Sequence, residues 1–163
     1  MITDSELKDF VRKRIFDRLD FWGEIDGSRI GISIFGGRFL IYENELWKEY
    51  DEIPTVQTWL SVNIKFGERV REYIGANAPE KCSCMIATCL YFPGNVQENV
   101  QEDWVNRLDE TFRYIYYRSL LVSSSVRVGL GNNSIYSIYN AIALNYNCYY
   151  LSQRGGNCDT GEC

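Results

Sequence analysis

Residues 62–75 read VNIKFGERVREYIG: an alternating run, a glycine between charged residues, then a second alternating run closed by another glycine. From Leu60 onward, Val62, Ile64 and Phe66 share one face of an extended chain, and Ser61, Asn63 and Lys65 share the other. That period of two marks a half-buried strand. Gly67 followed by Glu68 admits a turn or a bulge, and RVREYI then reads as a return strand ending before Gly75 and Pro79. The stretch predicts a hairpin and contains no group suited to catalysis.

Outward from it, KCSCMIATCLYF at 81–92 is apolar on both faces, as a central strand is, and Pro93-Gly94-Asn95 stops it. Upstream, RIGISIFGGRFLIY at 29–42 reads as two short strands around a Gly36–Gly37 turn. ENELWKEYDEIPT at 43–55 is polar and acidic, with Pro54 barring a helix, and reads as a loop or a short helical turn. Within it, Trp47 either folds back onto the sheet or anchors a partner. A helix over 3–22 is announced by the capping box Thr3–Glu6 and by an apolar stripe of Leu7, Phe10, Val11, Ile15, Leu19 and Trp22, with Gly23 as its stop. A second helix over 97–117 carries Val100, Trp104, Val105, Leu108, Phe112 and Ile115, with Asn95 as cap and Glu98 as its reciprocal partner. SLLVSSSVRVGLGNNS at 119–134 reads as a short strand or an irregular link. In the last element Tyr136, Ile138, Ile142, Leu144, Tyr146, Cys148 and Tyr150 alternate onto one face, and 152–163 is a polar tail. These elements predict one α+β domain over 1–151, an antiparallel sheet flanked by two helices.

With 163 residues, 45% hydrophobic and 24% charged, the chain has the make-up of one globular domain. Its net charge of −5 argues against a broad phosphate-gripping stripe, and no apolar run of about 18 residues is present to span a membrane. The polar, acidic start MITDSELKDF is unlike a signal peptide and predicts synthesis in the cytoplasm. Aromatic residues make up 15% of the chain, which suits either an aromatic core or an extensive contact surface.

Chemistry is sparse. The chain has no histidine, so the commonest general base and metal ligand is missing. GLGNN at 129–133 lacks the lysine and helix of a phosphate loop. Of the six cysteines, Cys82 and Cys84 share a strand face at a spacing unsuited to a zinc knuckle, and Cys158 and Cys163 sit in the tail. Buried free thiols are expected in preference to a four-thiolate zinc site joining the two pairs. No catalytic residue, metal or cofactor is expected.

Residues 58–112 resemble the middle of phage tail terminator and related neck proteins. Trp59, Ile64, Phe66, Gly67, Glu68 and Gly75 match that family's hairpin, Pro93 and Gly94 its loop, and Leu108 and Phe112 the end of its helix. EKCSC stands where the family shows R-x-x-G, and the cysteine-bearing tail is an addition. The resemblance implies a virion protein that joins copies of itself head to tail in a ring, a hexamer in the family. It also implies that the ring caps the tail tube, meets a head-completion protein, and lets DNA pass unread. On this reading Lys65, Phe66, Gly67, Glu68, Arg69 and Arg71, at the hairpin turn, touch the neighbouring subunit or the tube. Two other readings fit the same residues: a different neck component, such as a head-completion or stopper protein, or a monomeric protein-binding module such as an inhibitor or immunity protein.

Overall fold

The computed structural model describes residues 1–22, 24–25, 28–43, 46–52, 57–71, 78–131 and 139–153. Gly23, Pro54, Gly75, Cys158 and Cys163, together with the side chains of Leu19 and Trp22, lie outside what is described.

Helix α1 (Asp4–Trp22) begins as its capping box predicts. The Glu6 N–H donates to Thr3 Oγ1 at 3.1 Å, and the Thr3 N–H donates to Glu6 Oε2 at 3.3 Å. Leu7, Val11 and Ile15 are buried from it, and the preceding Ile2 N–H donates to the Leu151 carbonyl at 2.9 Å. Helix α2 (Glu98–Phe112) is shorter than its apolar stripe suggests. Its cap is Gln97, which makes no side-chain cap bond, so Asn95 does not serve. The chain turns after Phe112, with Tyr114 and Arg118 at φ of 57° and 53°.

The strands are β1 (Glu24–Ile25), β2 (Ser28–Ile34), β3 (Phe39–Glu43), β4 (Leu46–Tyr50), β5 (Thr58–Arg71), β6 (Pro79–Pro93), β7 (Tyr116–Tyr117), β8 (Leu120–Gly131) and β9 (Tyr139–Gln153). They form one sheet in the order β4-β3-β2-β5-β6-β9-β8-β7, with β1 paired on β2. As expected, β6 is central, between β5 and β9.

The expected antiparallel sheet flanked by two helices is corrected on two counts. The sheet is mixed, because β2 and β5 pair in parallel from Ile30 opposite Thr58 to Ile34 opposite Val62. The fold is also dominated by strand, and both helices pack on one face. The cause is the segment at 43–55. In place of a loop, it supplies β4, which completes a β2-β3-β4 meander and sends the chain back to lay β5 along the free side of β2. Alternation shows which face each strand buries but carries no information about strand direction. Ile30, Ile32 and Ile34 face the same core as Leu60, Val62 and Ile64, whichever way the strands run.

The opening stretch is also corrected. Residues 62–71 are one strand and not a hairpin; of the turn or bulge expected at Gly67–Glu68 it is the β-bulge that forms, as a register shift between Phe66 and Arg69. Ser83 takes the space that a Cβ on Gly67 needs, and the Glu68 N–H donates to Ser83 Oγ at 3.1 Å. The 29–42 hairpin forms, but its left-handed residues are Phe35 (φ 53°) and Gly36 (φ 72°). Phe35 is held in that conformation by its N–H bond to the Val62 carbonyl at 2.8 Å and by Arg12, 5.4 Å from its ring.

The core lies between the sheet and the helices. Trp104, Phe112 and Leu108 of α2, Leu7, Val11 and Ile15 of α1, and Ile86, Leu90, Phe92, Leu144 and Tyr146 of β6 and β9 fill it.

Candidate interaction surface

The bulge divides the six residues expected at a hairpin tip between the two faces of the sheet. Phe66 pairs in register with Cys84, Arg69 with Cys82 and Arg71 with Glu80, which puts all three on the helix side. There the Lys8 ammonium lies 5.7 Å from the Phe66 ring. Arg69 forms an ion pair with Asp4, and both Arg69 and Arg71 approach Glu80, at 3.5 and 3.6 Å. Asp4 also accepts from the Tyr150 hydroxyl at 2.8 Å. Burial, followed by this bond, pushes the Tyr150 hydroxyl well above the ordinary tyrosine range. Arg69 and Arg71 thus tie the start of α1 and the start of β6 to the bulge. Lys65, opposite Met85, points to the other face.

Two further polar clusters fasten α2 to the sheet. Asp109 accepts from the buried Tyr146 hydroxyl at 2.6 Å and from Ser125 Oγ at 2.9 Å. Burial raises the Tyr146 hydroxyl, and Asp109 raises it further. Arg127 grips Glu102 with both terminal nitrogens, and that hydrogen bonding holds the Glu102 carboxyl below its usual range. Each carboxylate in these clusters is held by a tyrosine, serine or arginine that packs the fold.

Cys82, Cys84, Cys89 and Cys148 are free and buried. Cys84 and Cys148 face each other across β6 and β9, and their mutual hydrogen bond, with burial, pushes the Cys84 thiol upward. A Cys84 thiol held protonated in this way is a poor nucleophile, while the same bond moves the buried Cys148 thiol downward. Among the described residues, no group of three His, Cys, Asp or Glu is placed to hold a metal ion.

The outer face of the sheet, opposite the helices, is a surface of another kind. Positions 81, 83, 85 and 87 of β6 point to it, between the buried residues 82, 84, 86 and 88. One half is covered: Trp59 stacks on Tyr91 at 4.1 Å, and Phe39 meets Trp59 edge-on at 5.2 Å. The other half is open. Val70 (48% exposed), Leu121 (47%), Tyr149 (56%) and Leu151 (38%) lie around Met85 there, with Lys65 and Lys81 beside them. Together they line a groove of about 950 Å³. The sequence held a signal for this face, since 81–92 is apolar on both sides. A strand apolar on both sides is buried twice or presents an apolar surface, and β6 does each along part of its length.

No protein-family model matches the chain. No curated protein matches it. Nine solved chains do. One, 12% identical, covers 88% of this chain and 94% of its own length with a TM-score of 0.51, a likeness that establishes shared fold and nothing further.

Proposed function

We propose that this chain is a structural subunit of the phage neck, similar to a tail terminator, which assembles with copies of itself into a ring over the end of the tail tube. One observation carries the reading: the open half of the outer sheet face. Three large apolar side chains there, Leu121, Tyr149 and Leu151, are each between 38 and 56% exposed and adjoin one another on β8 and β9, with Val70 beyond Lys81 on the far side of β6. Burying such a side chain is worth roughly 1.5–3 kcal/mol, so a contiguous group of them favours a surface that is covered in the working state. The buried thiols and tied carboxylates favour adhesion over bond-making. The matches at Trp59, Ile64, Phe66, Gly67 and Glu68 direct the reading to the neck family. In this role the ring binds tube protein below and a head-completion protein above, and DNA crosses its centre without being read.

Native mass spectrometry and negative-stain imaging of the purified chain, alone and with tube protein, test the proposal. Closed rings are expected. A species that stays monomeric and ignores tube protein overturns the reading in favour of a small protein-binding module.

A further inference from the structure

The sheet is open, and its two ends differ. Among the described residues, β4 pairs only with β3 at one end. At the other, β7 pairs the outer side of β8 at Leu120 and Leu121, and the Val122 N–H donates to the Ile115 carbonyl at 2.9 Å. Among the described residues, nothing covers the outer edge of β8 from Ser123 to Gly131. A strand of that length with a bare edge presents a row of main-chain donors and acceptors to any extended chain. Edges of this kind are blunted by charges, proline or bulges. Residues 123–131, SSSVRVGLG, contain no lysine or proline, and Arg127 is engaged by Glu102 of its own chain. The two register shifts, at Val122/Ser125 and Gly129/Gly131, leave a regular run from Ser125 to Gly129 between them.

We infer that the bare edge of β8 pairs with β4 of a second copy of this chain, continuing the sheet from one subunit into the next. The inference rests on the ring reading above and names the contact that builds the ring. Strand direction is the first support. Following the ladders from β4 through β3, β2, β5, β6 and β9 to β8, β4 and β8 run in opposite directions. Setting two copies edge to edge without turning one over therefore brings β8 and the next β4 together antiparallel, and keeps the outer face of the sheet on one side throughout.

Side-chain matching is the second support. Leu46 (65% exposed) and Val126 (55% exposed) both lie on the outer face, the former by alternation from Lys48, which pairs with Ile41, the latter opposite Asn145. Each subunit offers one edge and accepts the other, so the contact is heterologous and closes when the rotation per copy divides a circle.

The test uses L46C and V126C, singly and together, in the full chain with C158S and C163S, treated with a short bis-maleimide. The double variant is expected to give a ladder of covalent multimers on a denaturing gel, and each single variant only monomer. Dimers from V126C alone overturn the inference in favour of a β8–β8 contact. No ladder from a double variant whose native mass shows a ring overturns this contact and leaves the ring reading standing. A monomeric native mass removes both. Hydrogen exchange on the unmodified chain gives a second readout: amides of β4 and β8 should slow on assembly, and unchanged exchange in both strands contradicts the pairing.

Discussion

Gly67 shows how one residue directs a strand. A Cβ at this position lies 2.5 Å from Ser83 Oγ, a hydroxyl already engaged by the Glu68 N–H. G67A therefore has to push that hydroxyl aside and break its bond, and should lower stability by about 1 kcal/mol in urea unfolding. Adding S83A should recover part of the loss, and no recovery would contradict the steric cause. Tyr146 and Tyr150 give the second prediction at this scale. Each hydroxyl titrates higher in the folded chain than the ordinary value of 10.0. Above about pH 10 the unfolded chain loses these protons while the folded chain keeps them, so stability is full below that pH and falls as pH rises. The urea midpoint should drop through alkaline pH, with a shallower slope in Y146F. An equal slope in that variant removes Tyr146 as a cause.

Among the elements, those with a complete local signal were legible. The capping box and three buried aliphatic residues of α1 are in place, and β6 is central as its two apolar faces indicate. The elements missed are those whose identity comes from partners distant in sequence. β4 reads as an acidic loop because Lys48 and Glu49 sit on a sheet edge, where polar residues are tolerated. The parallel β2–β5 pair is invisible to alternation, which gives the same pattern in either direction. Of the candidate surface, Lys65 was found, while Val70, Met85, Leu121, Tyr149 and Leu151 became recognisable only once the register of four strands aligned them. Helix α2 carries a prediction of its own. Its cap, Gln97, makes no side-chain bond to the first turn. Q97D supplies that acceptor together with a charge that favours the helix dipole, and should raise stability by about 1 kcal/mol in thermal or urea unfolding. A variant less stable than the parent would show that Gln97 is held for another reason.

At the scale of the molecule, two layers leave one face of the sheet without cover: helices on one side, and on the other an aromatic cluster that stops halfway. On the proposed function, Y149D leaves the fold intact, because the residue is 56% exposed, and weakens assembly with tube protein, the contact left to the outer face when the sheet edges join the subunits. Unfolding free energy should move by no more than about 0.5 kcal/mol while the assembled fraction falls by an order of magnitude or more. Undiminished assembly would remove the outer face from the account. The most direct measurement of the central claim is sedimentation of the purified chain over a wide range of concentration. A structural ring predicts a single closed species that replaces monomer and then grows no further, and sedimentation as a monomer at every concentration, with tube protein present or absent, would contradict it.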